Sequence, residues 1–136
     1  MKEAYVSYEV AILLKEKGFD WFTFTYYAKD DEDTEPEFGR ESLCSDNWNG
    51  QPDEVNDLWC SAPTQQMALR WLKEEKGMYI SVAPDFNEYG EYPGDLYWLA
   101  RVYDLIKGDY IHSTKLCVSS QEAFETAIQY VLTNLI

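Results

Sequence analysis

Long apolar runs are missing from this 136-residue sequence. The longest early stretch, Val10–Leu14, is flanked by Glu9 and Lys15, whereas a spanning helix needs about 20 apolar residues. The opening MKEAYVSYEV has no apolar core of the kind a secretory leader carries. Cysteine is scarce and odd in number: Cys44, Cys60 and Cys117 stand in no paired spacing. Such a set, without a leader, predicts a reduced cytoplasmic protein. Histidine is scarcer still, with His112 alone. A nucleophile that needs an imidazole base therefore has one candidate, and no local signature joins it to any cysteine. There is no glycine-rich phosphate loop, no G-x-S-x-G and no H-E-x-x-H. No catalytic residue and no cofactor is predicted.

Metal sites fare no better. Three cysteines and one histidine match a zinc ligand set by count, but no two are spaced as a chelating pair. DFNEYGEYPGDL, residues 85–96, places Asp85, Asn87 and Gly90 at the first, third and sixth positions of a calcium loop. Its twelfth residue is Leu96, where a bidentate glutamate is required, and strands are expected on either side where helices are needed. No metal is predicted.

Cations are also few. Lys and Arg number 11 against 25 Asp and Glu, for a net charge of -14. The excess is concentrated. Residues 20–59 hold twelve acids against Lys29 and Arg40, net -10. Such a surface repels phosphate backbones, which argues against direct nucleic-acid binding. An anionic membrane is disfavoured for the same reason.

What is present is aromatic. Five Trp, eleven Tyr and six Phe supply large buried areas despite a mean hydropathy of -0.46. The length suits one domain, 1–136. Helical spacing of Val10, Leu13, Leu14 and Lys17 predicts a helix over about 8–17, capped by Ser7 and ended by Gly18. Phe22, Phe24 and Tyr26 alternate with Thr23 and Thr25, which predicts a strand over 21–27. Residues 29–61 hold Pro36, Gly39, Gly50 and Pro52 and keep no period, so a long acidic insertion is expected, with a short strand or helical turn near Val55–Trp59.

APTQQMALRWLKEEKG returns to helical period, with Pro63 in its first turn, Met67 stacked with Trp71 and Ala68 with Leu72. MYISVA, 78–83, reads as a buried strand followed by a turn-rich connection. Residues 96–106 are ambiguous between strand and helix; their aromatics and the following KGD turn favour a strand, with 110–117 as the return strand of a hairpin. The last segment is a helix opened by the capping box Ser119–Glu122, with Phe124, Ala127, Ile128, Val131 and Leu135 on one face. The class is α+β: an antiparallel sheet of three to four strands under about three helices, in the order α-β-(long acidic loop)-α-β-β-β-α.

Three stretches stand out together: SYEVAILLKEKGF, APTQQMALRWLKEE and SSQEAFETAIQYVLTNLI. They resemble a family of small uncharacterised proteins of gut Bacteroidetes and their phages and prophages. The resemblance covers the three helices and implies mobile-element cargo in a bacterial cytoplasm. The family has no assigned activity, so it implies no site residue.

Function is sought in the insertion. Asp30, Asp31, Glu32, Asp33, Glu35 and Glu37 form an acidic run, and Trp48 and Trp59 follow it. Together they predict a surface for a basic host or phage protein. A solvated loop kept extended by its own repulsion accounts for the same run. Trp48, Trp59, Tyr89 and Tyr92 serve equally as staples that hold loops to a core. The leading expectation is a non-enzymatic interaction protein. A small enzyme or small-molecule binder with an atypical site is one alternative. A nucleic-acid mimic that inhibits a host defence protein is the other, and it requires carboxylates held at phosphate-like spacing.

Overall fold

The computed structural model describes residues 4–28, 40–52, 59–87 and 95–136. The class is α+β, with three helices and two three-stranded antiparallel sheets among the described residues. The chain divides into two compact units, 1–67 and 68–136. Among the described residues, no helix is long and apolar enough to cross a membrane.

The first unit opens with helix α1, Tyr8–Glu16. Ser7 caps it as expected: its Oγ accepts from the Val10 amide at 3.2 Å. Gly18, at φ 92°, provides the left-handed position that ends it. Val10, Ala11 and Leu14 are buried. Strand β1, Thr23–Ala28, lies between β2, Arg40–Asp46, and β3, Trp59–Ser61. The stretch 29–61, expected as a loop, therefore carries two strands and a 3-10 turn, Trp48–Gly50. The reason is pairing: a central strand needs a partner on each edge for its amides and carbonyls. Of the short strand or helical turn expected near Val55–Trp59, Trp59 opens β3 and residues 55–58 lie outside the described residues.

β2 pairs irregularly. Thr25 faces Glu41 and Thr23 faces Asp46, so β2 uses five steps where β1 uses two and arches outward between them. Leu43 in this arch is fully exposed.

Helix α2, Gln65–Lys76, contains the boundary between the units. Pro63 stands before this helix, not in its first turn. Thr64 is the cap, its Oγ1 accepting from the Met67 amide at 3.1 Å. Ala68, Trp71 and Leu72 are buried, and Met67 is half-buried.

The second unit is a meander of β4, Met78–Asn87, β5, Asp95–Asp104, and β6, Asp109–Ser113, against helix α3, Ser120–Asn134. β4 runs four residues past the expected strand, paired without a break from Met78 opposite Asp104 to Asn87 opposite Asp95. Strands, not helices, thus lead into and out of the tested calcium loop, whose residues 88–94 lie outside the described residues. Met78, Ile80, Ala100 and Val102 are buried, as are Ala127, Ile128 and Val131 of α3. Asp104 pins the β5–β6 turn, its Oδ1 accepting from the amides of Ile106 at 2.9 Å and Lys107 at 3.1 Å. Gly108, at φ 71°, lets that turn close.

The capping box is altered in one detail. Ser119 Oγ accepts from the Glu122 amide at 3.1 Å, but Glu122 Oε2 accepts from Val118, one residue before the cap. Ser119→Ala is expected to lower the unfolding free energy by about 1 kcal/mol. Ser45→Ala, on an exposed strand, is expected to change it by no more than about 0.5 kcal/mol. Urea denaturation followed by circular dichroism compares the two.

Candidate functional site

The six acids Asp30, Asp31, Glu32, Asp33, Glu35 and Glu37 lie outside the described residues. Their connection leaves β1 at Ala28 and returns at Arg40, which pairs with Tyr26. The other two expected site residues are brought together. Trp48 and Trp59 meet edge to face with ring centroids 5.8 Å apart. Tyr26 joins both, stacked on Trp48 at 4.3 Å and tilted to Trp59 at 5.6 Å. The result is a three-ring cluster at one end of β1.

Trp48 is set deep in this cluster and held by its polar atoms. It is 8% exposed. Its Nε1 donates to the Thr23 carbonyl at 2.8 Å, and its amide donates to Ser61 Oγ at 3.1 Å. Asn49 completes the attachment: its Nδ2 donates to the Phe19 carbonyl at 2.8 Å, and its Oδ1 accepts from the Ser61 amide at 2.9 Å. Asn47 Oδ1 accepts from Asn49 N, and Gln51 Nε2 donates to the Asn47 carbonyl. The segment Asn47–Gln51 thus staples the chain between β2 and β3 to β1. Trp59 is half-buried and keeps one part of its ring on the surface.

The most exposed aromatics stand elsewhere on the same strand. Thr23, Thr25 and Tyr27 are buried, while Phe22 is 62% and Phe24 58% exposed. The alternation of β1 was legible, but Phe22 and Phe24 turn outward, while Tyr26 on their side of the chain is covered by Trp48 and Trp59. Inside, Thr23 Oγ1 donates to the Thr25 carbonyl at 2.7 Å, and Tyr27 donates its hydroxyl to the Val6 carbonyl at 2.6 Å. Buried hydroxyls with partners are inexpensive, so the threonine face can be the inner one. Phe22, Phe24 and Leu43 are the surface residues that pattern reading missed. Alternation marks two faces but not which one is buried.

His112 stacks on Tyr130 at 3.7 Å with the planes 9° apart. Cys44 is exposed, and Cys60 and Cys117 are buried. Cys117 Sγ donates to the Lys115 carbonyl at 3.3 Å. Among the described residues, no three His, Cys, Asp or Glu side chains are grouped to hold a metal ion. The second unit has two hollows beside the β5–β6 turn, of about 370 and 440 Å³. Both reach Asp104, whose carboxylate is already engaged by the turn amides.

Comparison with protein-family models, curated proteins and solved structures returns no match.

The staple and the exposed face separate cleanly by substitution. Asn49→Ala removes two part-buried hydrogen bonds and is expected to destabilise the first unit by about 2 kcal/mol. Phe24→Ser is expected to move stability by no more than about 0.5 kcal/mol, because its ring is already in water. Tryptophan fluorescence during urea unfolding reports both, since Trp48 sits inside the staple.

Proposed function

We propose that the chain is a non-enzymatic binding protein of phage or mobile-element origin. It docks a basic host or phage protein on the outward face of β1 and on the acidic connection that follows it. The observation that carries the reading is the inversion of β1, which leaves Phe22, Phe24 and the neighbouring Leu43 in solvent. Phe22 just before β1, Phe24 on it and Leu43 in the arch of β2 are large exposed apolar side chains of the kind that anchor interfaces. The sequence between Ala28 and Arg40, which joins β1 to β2, contains six acids. Opposite charge on the partner would raise the rate of encounter, and burial of the phenylalanines would slow departure. A second copy of the chain is a poor occupant, because each copy carries -10 over residues 20–59. The phage and mobile-element origin is supported by the resemblance of the three helical stretches.

Capture from host lysate at low and at high salt tests this reading. A basic protein is expected to be enriched at low salt and lost at high salt. The Phe22→Ser/Phe24→Ser double variant is expected to lose that protein while keeping its own unfolding midpoint. Replacing the six acids by their amides is expected to slow association with little change in dissociation. No enrichment at low salt, or enrichment undiminished in the double variant, overturns the proposal.

A further inference from the structure

The second unit carries a different surface, built by register alone. Met78, Ile80, Ala100 and Val102 are buried, and α3 lies against β4 and β5. Side chains alternate across a strand, so Tyr79 and Ser81 on β4, and Arg101 and Tyr103 on β5, occupy the opposite face. Directly paired residues share a face. Tyr79 pairs with Tyr103, and Tyr103 pairs with Tyr110. The bulge in the β5–β6 pairing keeps Tyr110 beside Tyr103 although His112 faces α3. One rung of the sheet is therefore three tyrosines wide. The ring centroids are 6.2 Å apart from Tyr79 to Tyr103 and 5.7 Å from Tyr103 to Tyr110.

The next rung is polar throughout. Ser81 pairs with Arg101, and Arg101 with Ser113. Arg101 is exposed, and no ion pair involving it is formed among the described residues. Tyr79 is 41% and Tyr110 55% exposed; Lys73 Nζ stands over the Tyr79 ring at 5.7 Å, so the more open ring surface is that of Tyr110. The hollow of about 370 Å³ opens at the tyrosine rung, lined by Tyr79, Ser81, Tyr103, Asp104, Leu105 and Gly108. Arg101, Tyr110 and Ser113 lie outside its lining, so the hollow serves only the Tyr79–Tyr103 end of the face.

We infer that this two-rung face is a saccharide-binding site. A sugar ring has an apolar C–H face and a rim of hydroxyls. The tyrosine rung offers aromatic surface to the former. The serine hydroxyls and the forked guanidinium of Arg101 offer hydrogen bonds to the latter. A nucleic-acid strand would also stack on tyrosine, but its binding sites combine stacking with a positively charged groove. The hollow at the tyrosine rung is lined by the acid Asp104 and, among the described residues, by no Lys or Arg, so it is not such a groove. A proline-rich peptide would use the aromatic rung but would leave the Ser–Arg–Ser rung without a matching row of hydroxyls. The site lies wholly within the second unit and does not depend on the docking surface proposed for β1.

Native electrophoresis through gels containing single neutral polysaccharides tests the inference. Galactomannan, xyloglucan, mannan, dextran and a β-1,3-glucan serve as probes, with decaproline and a dT10 oligonucleotide as competitors in solution. Retardation by at least one polysaccharide is expected, unaffected by either competitor. Arg101→Ala and Tyr110→Ala change exposed side chains, and each is expected to weaken the retardation about tenfold. The Phe22→Ser/Phe24→Ser variant is expected to be retarded as the parent is. Migration unchanged in all five gels overturns the inference. So does retardation that survives both rung substitutions, or binding that decaproline or dT10 displaces.

Discussion

The register of β1 between β2 and β3 decides what the first unit shows to solvent. Strand side chains repeat every two residues, so a slip of one position would exchange Phe24 for Thr25 across the whole face. Two contacts hold the strand where it is. Tyr27 is fixed by its hydroxyl to the Val6 carbonyl, and the indole of Trp48 is fixed to the Thr23 carbonyl. The two bonds engage residues toward opposite ends of β1, and a slip of one position would break both. The exposure of Phe22 and Phe24 is thus imposed by polar atoms beneath them, not by any failure of apolar packing.

The same constraint works in the second unit without a staple. β4 and β5 pair continuously over their whole length, and the β5–β6 turn is pinned by Asp104 and closed at Gly108. An unbroken antiparallel ladder fixes side-chain phase, so the residues buried against α3 determine which residues face away. Ile80 and Val102 go in; Tyr79 and Tyr103 go out. The single irregularity, at Val102 and Tyr103, lets β6 place both His112 and Tyr110 next to a ring, one on each face.

Much of the scaffold was legible in the sequence because its signals are local. Ser7, Gly18 and Ser119 act within one helical turn of the residues they serve, and the apolar stripe of α3 repeats inside one segment. β2 was not legible, because Arg40–Asp46 is polar, exposed and arched, and keeps no alternation that would mark a strand. The inward face of β1 was hidden for another reason. Burying threonine costs little only once its hydroxyl has found a carbonyl, and that partner becomes known from the folded backbone. Trp48 and Trp59 were chosen as candidate contacts for being aromatic in a polar stretch, and their meeting at Tyr26 could not be read from residues separated by 11 and 22 positions. The tyrosine rung joins Tyr79, Tyr103 and Tyr110 through two hairpin registers, each undefined until its turn is placed.

The charge and the aromatic surface belong to one argument. A protein that leaves phenylalanine and tyrosine rings in water risks self-association through them. Like charge on every copy opposes that encounter over about a Debye length, roughly 8 Å at physiological salt. The -10 carried by residues 20–59 falls in the same part of the sequence as Phe22, Phe24 and Leu43, where such protection is most needed. The same field would admit a cationic surface and would be neutral toward an uncharged ligand. Under the reading proposed for β1, the acidity of residues 20–59 therefore has two consequences at that strand: it disfavours a second copy there and it favours a basic partner.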